Sequence, residues 1–106
     1  MDDKIVNTSM DIILNAGDAR LHCNECLNAI ENEDFEKAEE ELHLANQGII
    51  KAHKVHTDVI QGEANGETIE YCALFSHAQD TLMTINSEIL LTKHILGISK
   101  KLFKKS

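Results

Sequence analysis

Between residues 35 and 59 apolar side chains recur at Phe35, Ala38, Leu42, Ala45, Ile49, Ala52, His56 and Val59, in unbroken steps of three and four. A strand would place alternate residues on one face, whereas this period holds a single stripe along an α-helix. The same spacing is the seam of coiled-coil packing, so the segment predicts a helix that needs apolar partners along its whole length. One member of that seam, His56, is polar.

The flanking segments supply the partners. Ile5, Ser9, Ile12, Ala16, Ala19, Cys23, Cys26 and Ile30 continue the same period before it, and Tyr71, Phe75, Ala78, Leu82, Ile85, Ile89, Leu96 and Phe103 form a stripe after it. "ENEDFE" at 31–36 is short and acidic, with Asn32 and Asp34 both able to cap a helix start; "GEANGE" at 62–67 carries two glycines and an asparagine and reads as a loop. The expectation is one helical domain over 1–106, with helices at about 4–31, 34–61 and 68–104, folded as an antiparallel three-helix bundle. The absence of proline and the presence of only four Phe, Tyr or Trp residues agree with an all-α chain built on aliphatic stripes. Leu74, Leu90, Leu91, Ile95, Ile98 and Leu102 lie off the third stripe, more apolar surface than one bundle hides, so oligomerisation is expected.

A formal charge of −8 excludes nucleic acid as a natural partner, because affinity there comes from lysine and arginine neutralising phosphates. The basic cluster Lys100, Lys101, Lys104 and Lys105 closes the last helix, where cations suit the negative end of its dipole. The apolar run Ile85 to Ile98 is broken by Asn86, Glu88, Lys93 and His94, which predicts no membrane insertion. Met-Asp-Asp-Lys lacks the apolar core of a signal peptide, and three cysteines make no disulfide framework, so the cytoplasm is the expected compartment.

The segment "FSHAQDTLM" at 75–83 sets polar groups into an apolar helix. His77 and Asp80 are three residues apart and share a face with Ala73 and Thr84, whereas Gln79 lies about 200° around the helix from His77 and cannot meet it within one chain. Other pairs have simpler readings. Cys23 and Cys26, beside His22, lie on the first apolar stripe and read as core rather than a redox or zinc motif. "EELH" at 40–43 has the Glu-x-x-His spacing of di-metal bundles, but no second copy exists. His53 and His56 could share a ligand, or be a surface histidine beside a seam histidine. No phosphate-binding glycine loop, nucleophile elbow or dinucleotide fingerprint occurs, so no organic cofactor is expected.

"NAGDAR" at 15–20, "AIENEDFEKAEE" at 29–40, "KAHKVHT" at 51–57, "GEANGE" at 62–67 and above all "HAQDTLM" at 77–83 resemble, in order and in register, the enzyme IIA component of the lactose/cellobiose (chitobiose) class of the phosphoenolpyruvate-dependent sugar phosphotransferase system. The resemblance implies a homotrimer of three-helix protomers and a phosphoryl carrier. His77 would be the phosphorylated nucleophile, taking the group from the histidine-containing phosphocarrier protein and passing it to a cysteine of enzyme IIB during uptake of a β-linked disaccharide. Gln79 would stand near the active histidine of an adjacent protomer, and Asp80 near the trimer axis, where three carboxylates would hold one structural Mg²⁺ or other divalent cation. Two positions depart from the family pattern: Thr81 stands where many relatives have a second histidine, and His56 where many have glutamine. With a helix starting near residue 68, His77 would lie too far in for the helix dipole to reach it. The rival readings are a non-catalytic helical adaptor, with the polar strip setting oligomer register, and a metal-binding bundle built on Glu40 and His43.

Overall fold

The computed structural model describes residues 3–105 as α1 (Asp3–Glu31), α2 (Phe35–Ala64) and α3 (Ala73–Lys105), with no strand among the described residues. Met1, Asp2, Ser106 and the side chain of Lys105, a member of the basic cluster, lie outside the described residues. The three helices run up, down and up in a rod of 57 × 20 × 18 Å. Parallel travel of α1 and α3 is visible in two ties between them, Arg20 to Glu88 and Cys23 to Thr92.

Both reversals use the same backbone device. At the end of α1 the N–H of Asp34 donates to Ala29 O at 2.9 Å and that of Glu33 to Ile30 O at 3.0 Å, while Glu33 takes a left-handed φ of 59°. At the end of α2 the N–H of Glu67 donates to Gly62 O at 3.0 Å and that of Gly66 to Glu63 O at 3.1 Å, with Gly66 at φ 96°. Each pattern satisfies the last free carbonyls of a helix by a left-handed residue just past its end. Of the two candidate caps for α2, Asp34 is the one used: its side chain accepts from the N–H of Lys37 at 3.2 Å.

The core follows the stripes with instructive exceptions. Ile12, Leu82 and Ile85 are wholly buried, each worth about 2 kcal/mol of transfer free energy. On α1 the last buried position is Ala29, with Ile30 half-buried beside it. On α2 Gly48 is buried although it carries no side chain, because α1 passes directly over it. On α3 Thr92 fills the gap between Ile89 and Leu96; its hydroxyl donates to Glu88 O at 2.8 Å and sits 3.0 Å from Cys23 Sγ. Ser9, also wholly buried, donates to Ile5 O at 2.6 Å, so neither polar group is left unpaired in the interior.

The start of α3 differs from expectation by five residues: it begins at Ala73, not at about 68. Thr68, Ile69 and Tyr71 are poor helix formers, and Ile69 and Cys72 gain more by folding down onto the core than by extending a helix past the end of the rod. Tyr71, expected on the buried stripe, is consequently 81% exposed, and Cys72 takes its place. At the far end Phe103 is only partly covered, meeting Phe35 edge to face with ring centroids 5.3 Å apart. Lys100 pairs with Glu39 of α2 there, so part of the basic cluster is neutralised within the chain.

Candidate functional site

The late start of α3 changes the surroundings of His77. It becomes the fifth residue of the helix, about 6 Å along the axis from Ala73. Helical side chains lean toward the N-terminus, which brings His77 nearer the first-turn N–H groups than a start near residue 68 would; the last of these, Ser76 N–H, donates to Cys72 O at 3.1 Å. The expectation that His77 lies more than two turns into its helix is therefore corrected: it stands about one turn from the positive end of α3, at the limit of the dipole's reach. The ring is exposed, and among the described residues no hydrogen bond, ion pair or ring contact engages it.

Asp80 is likewise exposed, on the same face as His77. At 100° per residue, His77, Asp80, Thr84, Leu91, Ile95, Ile98 and Leu102 fall within a sector of about 60°. The outward face of α3 thus begins with an imidazole and a carboxylate and continues as an aliphatic strip, with Leu91 62% and Leu102 64% exposed. Ser76 and Thr81 flank His77 half-buried.

Gln79 points away, as its angle requires, and meets α2. Its side-chain nitrogen lies 2.9 Å from His56 Nε2, and the His56 ring lies nearly flat against Phe75, with centroids 5.9 Å apart and planes inclined by 11°. Burial lowers the His56 pKa below the ordinary histidine value, and His53 nearby lowers it further. This three-residue cluster is what sequence reasoning did not find. The seam position of His56 and the angle of Gln79 were both readable, but the relative register of α2 and α3, which joins them, has no signal in either helix alone.

Among the remaining candidates, the cysteines of α1 pack and His22 pairs. Cys23 and Cys26 are buried free thiols; burial, then Cys23 and Glu41, push Cys26 up to about 11, which keeps it protonated and unreactive at neutral pH. His22 Nδ1 stands 2.7 Å from Glu41 Oε2 across the α1–α2 interface. Glu40 and His43 are exposed on α2, and among the described residues no group of three or more His, Cys, Asp or Glu is placed to hold a metal. A cavity of about 560 Å³ opens where the 65–72 loop meets α1 and α2, floored by Ile5, Val55, Val59 and Ile69, and none of His77, Gln79 or Asp80 lines it. No helix among the described residues is long and apolar enough to cross a membrane.

The fold is a three-helix bundle whose last helix carries an exposed, unengaged histidine about one turn from its start. The sequence model of the family described as "PTS system, Lactose/Cellobiose specific IIA subunit" matches residues 7–100, and the chain belongs to that family of phosphotransferase components. It is 39% identical over 99 residues to the PTS system lactose-specific EIIA component of Staphylococcus epidermidis, covering 93% of this chain and 95% of that one. To the protein of the same description from Streptococcus mutans it is 37% identical over 91 residues, covering 86% and 88%. Among solved structures, the PTS cellobiose-specific enzyme IIA of Bacillus anthracis superposes with a TM-score of 0.93 at 33% identity, over 100% of this chain and 97% of that one. PtcA from S. mutans gives 0.92 at 32%, over 94% and 98%.

Proposed function

We propose that His77 is the phosphoryl-carrying residue of a cytoplasmic sugar phosphotransferase system, loaded by the histidine-containing phosphocarrier protein and discharged to a cysteine of enzyme IIB during uptake of a β-linked disaccharide. The observation that carries the reading is the exposed, unengaged imidazole about one turn into α3. Two proteins must reach the same ring in succession. His77 stands at one edge of that sector of about 60° and near the end of the rod, so assembly through the aliphatic part of the strip leaves the ring beside the seam between protomers, within reach of both.

In the loading step the lone pair of His77 Nε2 attacks phosphorus in line, the P–N bond of the donor phosphohistidine breaks, and its electron pair stays on the donor nitrogen, leaving a neutral imidazole whose proton is on its other ring nitrogen. In the discharge step the enzyme IIB thiolate attacks the same phosphorus and the electron pair returns to His77. Attack by Nε2 requires the ring proton on Nδ1, where an acceptor must hold it. The positive end of α3, about one turn away, adds at most a weak attraction for the phosphoryl dianion, so neighbouring side chains must hold it.

The aliphatic strip on α3 supports assembly as a homotrimer, with these faces turned inward. One chain offers Asp80 as a lone carboxylate, which is not a cation site. Three copies around an axis would supply an all-oxygen set of the kind that hard divalent cations such as Mg²⁺ prefer, and the cation would offset carboxylate repulsion there.

The test is incubation with labelled phosphoenolpyruvate and the two general phosphotransferase proteins, followed by cognate enzyme IIB. The reading predicts label on the unaltered chain, drained by enzyme IIB, and none on His77→Ala of unchanged helicity. An unlabelled wild-type chain that still assembles would favour the adaptor.

A further inference from the structure

We propose that His56 is a positioning residue for Gln79: it holds the side-chain amide with its carbonyl turned outward, as the acceptor for the Nδ1–H of His77 in a neighbouring copy. The inference rests on the phosphocarrier and trimer reading above.

The geometry restricts the choices at this pair. The structure turns the amide nitrogen of Gln79 toward His56 Nε2 at 2.9 Å; an amide nitrogen only donates, so in this orientation Nε2 is the acceptor and the His56 proton belongs on Nδ1. The opposite amide orientation would bring the carbonyl oxygen against the same lone pair, two acceptors face to face. A neutral ring with this tautomer therefore selects one of two amide orientations. The ring itself is fixed, lying almost parallel to Phe75, which is only 8% exposed and anchored in the core. Burial and the neighbouring His53 favour the neutral form. With one amide N–H committed to His56, Gln79 keeps its carbonyl oxygen for a partner outside the chain. An acceptor is what the nucleophile needs, because attack by Nε2 requires Nδ1 protonated and held.

Four variants test this in the assembled protein, with helicity and thermal midpoint recorded for each: two at His56, Gln79→Ala, and His56→Leu in the Gln79→Ala background. His56→Leu keeps an apolar body against Phe75 but removes the acceptor; it is expected to slow phosphoryl loading of His77 by about three- to tenfold, the worth of one ordinary hydrogen bond. His56→Gln restores an acceptor of similar reach and is expected to recover most of that rate. In a Gln79→Ala background His56→Leu should cost nothing further, since its effect passes through the missing amide. Nitrogen NMR of the unaltered protein should show His56 as the Nδ1–H tautomer. An equal loss from His56→Leu in both backgrounds, no loss in the wild-type background, or an Nε2–H tautomer would overturn the positioning role while leaving the carrier reading intact. A wild-type chain that takes no label would remove both.

Discussion

A Cβ built on Gly48 of α2 would stand 3.1 Å from the Cβ of Ala19 and 3.3 Å from the carbonyl oxygen of Asn15, both on α1. The obstacles are backbone and a backbone-anchored methyl, so α1 would have to move as a body. Gly48→Ala should therefore destabilise the fold by about 1 kcal/mol, overpacking outweighing the better helix propensity of alanine. Gly97 has nothing within 4 Å of the same probe, and Gly97→Ala should stabilise by about 0.5–1 kcal/mol. Thermal unfolding of both variants checks the opposite signs.

Glu33 closes α1 in a conformation that suits glycine, with φ at 59°, while Gly66 does the same task at the end of α2. Relief of the Cβ clash should exceed the entropy lost, so Glu33→Gly is expected to stabilise by about 0.5 kcal/mol. Denaturant titration reads this as a raised midpoint at unchanged slope.

Stability should respond to pH through His56. Its folded pKa is lowered from 6.5, so near that value the folded chain binds fewer protons than the unfolded one. Its contribution is then fully present above the unfolded pKa and is lost as pH falls through the folded pKa. The difference in unfolding free energy between wild type and His56→Gln, followed downward from pH 7, should shrink or reverse through this window.

The strip on α3 makes a prediction about assembly. Leu91 and Ile98 are exposed in the single chain, so Leu91→Glu with Ile98→Glu should leave helicity intact while converting the proposed trimer to monomers. Sedimentation equilibrium distinguishes the two states.

Much of this fold was legible because burial follows helical period. Ile12, Ala45, Leu82 and Ile85 sit where the spacing places them. The failures arise where something other than period decides. Tyr71 and the start of α3 were misplaced because a loop gains by folding onto the bundle end, a tertiary effect that outweighs the continuing apolar pattern. Gly48 was passed over because close helix approach depends on the absence of a side chain. At the site, His77 and Asp80 were readable as one face of one helix. The pairing of Gln79 with His56 depends on the register between two helices, which neither segment carries.

The central claim is that one phosphoryl group resides on His77, and mapping that group chemically tests it most directly. After loading from phosphoenolpyruvate through the two general phosphotransferase proteins, peptide mass spectrometry under alkaline conditions should find a single acid-labile phosphate, on the peptide containing His77. Phosphate on another histidine, or label undiminished in His77→Ala, would contradict the account.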